Sequence, residues 1–150
     1  MKRHPALQQL SRDHHRALVV AQRLRRASDT EATDAGDEFA AFWREQGAVH
    51  FSVEEDVLLP RLAGAGAFDT DLVGGVLRDH AEIRLGALEL ETGPVASRRL
   101  HELGERLEAH VRLEERELFP LIEAALPEAE LSLLARDLDE AEKLRHQAGA

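Results

Sequence analysis

Two segments of this chain align with each other and predict its helical architecture. Residues 50–62 read His-Phe-Ser-Val-Glu-Glu-Asp-Val-Leu-Leu-Pro-Arg-Leu, and residues 110–122 read His-Val-Arg-Leu-Glu-Glu-Arg-Glu-Leu-Phe-Pro-Leu-Ile. The histidine, both glutamates, one leucine and the proline coincide without a gap. A shorter pair, Arg-Asp-His at residues 12–14 and again at 78–80, precedes each stretch. Each half of the chain therefore repeats one order of chemical groups, which predicts two helical hairpins related by a pseudo-twofold axis.

Apolar residues recur at three- and four-residue steps along most of the chain, which is the spacing of one helix face. The steps predict helices over about residues 5–27, 37–60, 69–93 and 100–121, and a short amphipathic helix over about 128–145. Asp69 or Thr70 is expected to cap the third helix. The prolines at 60, 120 and 127 are expected to mark helix ends, and residues 28–37 read as a solvated connection.

These elements predict an all-α fold, an up-down-up-down four-helix bundle with an additional short C-terminal helix. With 150 residues, 43% of them hydrophobic, the chain has enough apolar surface for one core. We expect a single domain over residues 1–150, with a core at about 5–124 and the C-terminal helix at about 128–146.

Composition excludes several classes of function. The chain has no cysteine, so disulfides, thiolate metal sites and iron–sulfur clusters are excluded. Its 19 Lys and Arg against 29 Asp and Glu give a net charge of −10, which argues against a nucleic-acid partner. No stretch approaches the roughly 20 apolar residues of a membrane span, and no apolar signal segment is evident. A soluble, cytoplasmic protein is expected.

The repeated stretches each carry a pair of metal-ligand residues. His50 and Glu54 are four residues apart and project from the same side of a helix, as do His110 and Glu114. Imidazole with carboxylate suits iron, and a carboxylate can bridge two ions. Inward-facing histidines from the other two helices would complete a site for two ions roughly 3.5–4 Å apart. The candidate metal ligands are therefore His14, His50, Glu54, His80, His110 and Glu114.

Other histidines are expected to face solvent. His101 and Glu105 have the same spacing, but His101 lies about half a turn around the helix from His110. The pair is therefore assigned to the surface, as are His4 and His146 near the termini.

Residues adjacent to the candidate ligands admit supporting roles. Glu55 and Glu115 are rotated by about 100° from the glutamates before them, so they are expected to form salt bridges or hydrogen bonds behind the ligands. Asp13 and Asp79 either orient neighbouring groups or are solvated. His15 is the alternative to His14.

With these residues in place, the sequence resembles the hemerythrin-like family, the HHE cation-binding domain, over about residues 7–122. The resemblance rests on Asp13-His14, His50-x-x-x-Glu54-Glu55, Asp79-His80 and His110-x-x-x-Glu114-Glu115. It implies a non-haem di-iron centre with His14 and His50 on one iron, His80 and His110 on the other, and Glu54 and Glu114 as bridges. It also implies dioxygen-related roles, namely binding, storage, sensing or iron handling.

One position departs from the family pattern. Hemerythrins proper carry a second histidine one turn after the third-helix histidine, where this chain has Arg84. A guanidinium remains protonated and does not ligate iron. The resemblance therefore implies a coordination position that no imidazole fills, which fits a sensor, scavenger or redox protein better than a reversible oxygen carrier.

Several functions remain open on sequence alone. The first is a module that binds or responds to dioxygen, nitric oxide or peroxide, and the second is a di-iron enzyme that turns over the same molecules. A haem bundle would leave the paired glutamates unexplained. A metal-free structural or signalling bundle could dimerise through the Leu-rich fifth helix, and a homodimer is an open expectation.

Overall fold

The computed structural model describes residues 2–149, and all regular secondary structure in that range is helical. This confirms the all-α prediction. A single 3₁₀ turn, Pro5–Leu7, leads into the first of five helices. The helices are α1 (Gln8–Arg26), α2 (residues 32–64), α3 (Thr70–Thr92), α4 (residues 97–125) and α5 (Glu128–Gly149).

The ends of α3 follow from local chemistry. The Asp69 carboxylate accepts a hydrogen bond from the Leu72 amide at 3.0 Å and caps the helix. At the other end Gly93 has a φ of 154°, a conformation that side-chain-bearing residues rarely adopt. Both ends agree with the sequence prediction.

The second helix begins earlier than predicted, at Ala32 instead of near residue 37. Ser28 and Glu31 close a turn directly before the helix, in which the Glu31 carboxylate accepts from the Ser28 amide at 3.1 Å and from its hydroxyl at 2.8 Å. Ala35 is buried in the core. The connection therefore covers only residues 27–31, and the rest of the acidic, Thr-rich segment belongs to the helix.

Two further predictions of helix ends are wrong. Pro60 and Pro120 lie inside continuous helices, because α2 extends to Gly64 and α4 to Ala125. The C-terminal helix is also longer than predicted, since α5 spans 22 residues. It packs along the middle of α2, where the Arg145 guanidinium donates to the Ser52 hydroxyl and to the Asp56 carboxylate, each at 2.7 Å.

The apolar core consists of two clusters, one at each end of the helices. One joins the start of α1 and α3 to the ends of α2 and α4 and to α5, with Leu7, Leu62, Val76, Phe119, Ile122 and Leu134 among its members. The other joins the opposite ends, with Leu24, Phe39, Ile83, Leu100, Leu103 and Leu107 among its members. A layer of buried polar residues separates the clusters. None of the helices in residues 2–149 is long and apolar enough to cross a membrane.

Candidate metal centre

The polar layer between the two clusters contains all six candidate ligands. Each of these side chains is at most 5% exposed. They form two overlapping groups, and in each group the potential ligand atoms lie within 4.8 Å of one another. The groups are His14, His50, Glu54 and Glu114, and Glu54, His80, His110 and Glu114. The structure therefore brings together residues from four helices, and both glutamates belong to both groups.

Each glutamate directs its two oxygens to different histidines. Glu54 Oε2 lies 3.1 Å from His50 Nε2, while Glu54 Oε1 lies 3.2 Å from His80 Nε2. Glu114 Oε2 lies 3.9 Å from His14 Nε2, and Glu114 Oε1 contacts His110 Nε2. A carboxylate placed between two imidazole pairs in this way has the geometry of a bridging ligand.

The outer nitrogen of each histidine faces a carboxylate from another helix. The Nδ1 atom of His50 lies 2.9 Å from Asp13, and that of His110 lies 3.3 Å from Asp79. A carboxylate partner fixes Nδ1 as the protonated nitrogen and leaves the Nε2 lone pair directed inward. Asp13 and Asp79 are thus orienting groups and not solvated ones.

The second glutamate of each repeat has the same role on the remaining histidines. Glu55 lies 2.6 Å from His80 Nδ1, and Glu115 lies 3.0 Å from His14 Nδ1. The predicted hydrogen bonds behind the ligands are confirmed. In every case the carboxylate sits next to a candidate ligand in sequence but supports a histidine of a different helix.

The inward-facing atoms of the layer face one another, some at 3.1–3.2 Å, but none forms a hydrogen bond of acceptable geometry. Ten buried side-chain nitrogen and oxygen atoms in residues 2–149 lack one, and eight of them are the four Nε2 atoms and the four carboxylate oxygens of the candidate ligands. Leaving one such group unpaired costs about 1–3 kcal/mol, and more for a charge. All eight potential ligand atoms are nitrogen or oxygen, and iron binds both kinds. The six residues therefore fit a bound cation.

Electrostatics in the layer also favours positive charge. Burial alone would lower the pKa of His80, but the three glutamates around it raise that pKa to about 10. Burial likewise opposes the charged form of His110, and its carboxylate neighbours raise its pKa to about 9. The excess of negative charge stabilises the protonated form of these imidazoles. It would equally stabilise a metal ion bound in place of the added protons.

The family model of the hemerythrin HHE cation-binding domain matches residues 6–146. The chain belongs to this family. Searches of curated proteins and of solved structures gave no significant match. The match covers α1 to α4 and most of α5, so the hemerythrin domain includes the C-terminal helix as well as the helices that carry the six residues.

Arg84 of this hemerythrin domain is directed at Glu55 and not at the candidate ligands. Its guanidinium donates to both carboxylate oxygens, at 2.7 and 3.0 Å, and lies 5.9 Å from the Phe51 ring centre. Burial would raise the pKa of Glu55, yet hydrogen bonds from His80 and Arg84 hold it at about 2. Arg84 therefore reaches the site indirectly, by keeping charged the carboxylate that orients His80.

The other supporting carboxylates have different partners in the two halves of the domain. Asp79 accepts from the Arg106 guanidinium at 3.2 Å, whereas Asp13 accepts from the Gln46 amide at 2.6 Å. Glu115 accepts from the Ser11 hydroxyl at 2.8 Å. The His80 and His110 side is thus supported by arginines, and the other side mainly by neutral donors.

The two glutamates start a wider turn in their helices. In residues Glu54–Leu58 and Glu114–Leu118 the backbone is π-helical, and the amide five residues after each glutamate donates to its carbonyl. Pro60 and Pro120 follow, and each has no amide hydrogen to continue an α-helical pattern. The extra residue in the turn accommodates the proline inside the helix. This is why the repeated proline does not terminate either helix.

Sequence reasoning missed the aromatic neighbours of the site. The Phe51 ring stacks on His80 with a centroid distance of 3.9 Å and an angle of 7°. Phe119 stacks on His14 at 5.4 Å and 8°. Both phenylalanines lie in the repeated stretches, but the helix that each would contact has no signal in the local pattern.

The remaining histidines lie outside the cluster. His15 is exposed, whereas its neighbour His14 is buried in the polar layer. His101 is not solvent-facing as predicted, because its Nε2 lies 2.7 Å from the Ala27 carbonyl oxygen and the side chain is half-buried. His4 is also half-buried, and its Nδ1 accepts from the Ala6 amide at 3.0 Å. His146 is exposed.

Proposed function

We propose that the chain is a di-iron protein of the hemerythrin type. The observation that carries the proposal is the set of eight buried nitrogen and oxygen atoms in one layer that could ligate a metal and that form no hydrogen bond of acceptable geometry. Two overlapping ligand groups that share both glutamates support two ions instead of one. Imidazole and carboxylate donors without thiolate favour iron. The ligands of the first ion are His14 and His50, those of the second are His80 and His110, and the bridges are Glu54 and Glu114.

We also infer that α1 to α4 form an up-down-up-down four-helix bundle, with α5 as the additional helix. Helix α1 contacts α2 and α4, and α3 contacts the same two helices. Each core cluster joins the start of one helix to the end of the next, as antiparallel neighbours require. This arrangement supports the di-iron proposal, because it directs one ligand-bearing face of every helix to a common axis.

The role that we propose is to bind or respond to dioxygen, nitric oxide or peroxide in oxygen sensing, storage or redox stress. A cavity of about 10 Å³ adjoins His14, His50 and His110, next to Phe51 and Gln46. That volume is close to the space for one water-sized molecule, so only a very small ligand fits. Iron in such a site would supply binding of a small ligand and electron exchange. The chain itself orients the imidazoles through four carboxylates and excludes bulk water with the two apolar clusters.

The number of iron atoms per chain tests the di-iron assignment. We expect about two after anaerobic reconstitution with ferrous iron, measured by elemental analysis against protein concentration. His14→Ala should lose iron, while His15→Ala, its exposed neighbour, serves as the matched control and should retain both atoms. A reproducible value of one or zero for the unmodified chain would contradict the dinuclear site.

The small-ligand role is tested separately on the iron-loaded protein. Anaerobic addition of nitric oxide to the ferrous form should change its optical spectrum in a saturable way. Full iron content without any spectral response to nitric oxide, dioxygen or peroxide would refute the ligand-binding role and leave the metal assignment intact.

A further inference from the structure

The two ligand groups contain the same kinds of residue. Each consists of two histidines and the two shared glutamates, so each offers an ion the same nitrogen and oxygen atoms. We call His14 and His50 with the shared glutamates the first position, and His80 and His110 with the same glutamates the second position. Residues behind the ligands can still make the positions unequal, because a carboxylate that supports a ligating histidine also sets its basicity.

One supporting residue differs in charge between the two halves of the domain. The alignment of the two repeated stretches, continued by four residues towards the N-terminus, pairs Gln46 with Arg106. The Gln46 amide donates to Asp13 at 2.6 Å, and the Arg106 guanidinium donates to Asp79 at 3.2 Å. The hydrogen bond is therefore common to both halves, whereas the positive charge is present in one of them.

We propose that the two metal positions differ in affinity, so that the first position fills first and the second holds the ion that exchanges more readily. This inference rests on the di-iron centre proposed above and adds an order to its loading. A half-loaded form, with its ion in the first position, would then be the main metal-bound species when metal is limiting.

The reason for the difference is the charge of Arg106. A guanidinium remains protonated, so it offsets the charge of Asp79 and weakens the attraction of that carboxylate for a cation. It also lowers the basicity of the imidazole that Asp79 supports. Asp13 accepts instead from the amides of Gln9 and Gln46, which leave its charge uncompensated.

The other two supporting carboxylates add to the difference. Behind the first position, Arg3 approaches the Glu115 carboxylate only to 3.6 Å and pairs more closely with Glu123, at 2.5 Å. Behind the second position, the Glu55 carboxylate accepts two hydrogen bonds from Arg84. Each supporting carboxylate of the second position thus has a guanidinium in direct contact.

Arg106 is the residue at which the effect of charge can be tested alone. Glu82 lies 2.6 Å from it and takes up part of its charge, but Glu82 is 55% exposed and is screened by water. Arg84 also orients Glu55, so in an Arg84 variant the loss of orientation would oppose the loss of charge. Arg106 is itself 46% exposed, and we expect its charge to change affinity by about threefold.

Selective ¹⁵N labelling of histidine shows which position fills first. Zinc(II) is a suitable probe, because it binds imidazole and carboxylate and has no redox chemistry. With one equivalent of zinc, the Nε2 resonances, assigned from single histidine replacements, should show the bound shift mainly at His14 and His50. We expect the occupancy of the first position to exceed that of the second by about threefold or more.

Two other outcomes of this titration would overturn the proposal. Equal occupancy, or a preference for the second position, would show that the supporting charges do not set the order of loading, although the metal centre itself would stand. No zinc-dependent shift at any of the four histidines would contradict the metal centre and this inference with it.

Replacements at Arg106 separate its charge from its hydrogen bond. Arg106→Gln keeps a donor for Asp79, as Gln46 does for Asp13, and should raise the relative occupancy of the second position about threefold. Arg106→Lys keeps the charge and should match the unmodified chain. Arg98→Gln removes a charge from a side chain that is 93% exposed at the start of α4, and it serves as the control. Equal shifts in the lysine and glutamine variants would mean that the role of Arg106 is structural.

The exchange of the two residues is the strictest test. The double variant with Gln46→Arg and Arg106→Gln has the composition and net charge of the unmodified chain, but the charge lies behind the first position. The ratio of first to second occupancy should fall about tenfold, since each replacement contributes about threefold. Circular dichroism and thermal melting verify that the variant is folded. An unchanged ratio in the folded double variant, or in Arg106→Gln alone if the double variant does not fold, would refute the proposal.

Discussion

Replacement of Glu55 by glutamine should weaken metal binding although it changes none of the candidate ligands. The Glu55 carboxylate lies 2.6 Å from His80 Nδ1 and accepts two hydrogen bonds from Arg84. The amide has the same shape but no charge. Its oxygen can still accept from His80, but its NH₂ group then faces an N–H group of Arg84, and two donors cannot form a hydrogen bond. The variant therefore keeps the packing and loses the charge-assisted orientation of the imidazole.

The expected magnitude follows from the hydrogen bond to His80, which the amide weakens. A hydrogen bond to a charged group contributes about 1.5–3 kcal/mol and one to a neutral group about 0.5–1.5 kcal/mol, so the exchange costs about 1–1.5 kcal/mol. That difference corresponds to about tenfold in affinity. Arg84 is partly exposed, so its own contribution is smaller, and Arg84→Gln alone should cost at most about fivefold. Adding Arg84→Gln to Glu55→Gln should have little further effect, because Arg84 acts through Glu55.

Cobalt(II), an air-stable substitute for ferrous iron, can be titrated in competition with a chromophoric chelator to measure both sites. Glu55→Gln should weaken one of two sites, and Glu115→Gln, the equivalent change beside His14, should weaken the other. Glu105→Gln, on the exposed face of α4, is the control and should match the unmodified chain. If Glu55→Gln binds both ions within a factor of two of the unmodified chain, the carboxylate does not orient His80 and the reasoning is refuted.

The same geometry leads to three other expected outcomes. His110→Ala should abolish tight binding of at least one ion while His101→Ala leaves both, and equal losses in a metal titration would mean that the ligand face of α4 is misassigned. Iron that binds only the folded state at about 100 times its dissociation constant should add about 2.7 kcal/mol to the free energy of unfolding, so identical denaturation with and without iron would exclude a tight native site. Gly104→Ala should lower stability by about 1–3 kcal/mol because the new Cβ would lie 2.6 Å from the Ala21 carbonyl oxygen, whereas Gly64→Ala meets nothing within 4 Å and should not, as paired thermal melts would show.

The periodic and local features of this chain were predictable. The all-α prediction is confirmed. The first helix and its leading turn were predicted over residues 5–27 and span Pro5 to Arg26. Membership of the hemerythrin family is confirmed as well. These features depend on residues three or four apart, which a helix places on one face wherever it lies in the fold. The single-domain assignment remains a prediction.

The wrong helix boundaries lie where a specific short-range interaction outweighs the local composition. Ser28 and Glu31 form a hydrogen-bonded turn directly before α2, whereas the acidic residues around them suggested a longer loop. Pro60 and Pro120 suggested helix ends because a proline normally breaks an α-helix. In the structure a π-helical turn before each proline lets the helix continue through it.

Residue type and helical spacing predict which side chains could ligate a metal and which helix carries each of them. The packing of the helices sets which carboxylate supports which histidine, the stacking of Phe51 on His80, and the contact of Arg84 with Glu55. These pairings join residues that are 25 or more positions apart in the chain. They depend on the distance and rotation between packed helices, and no periodicity within one helix specifies either quantity.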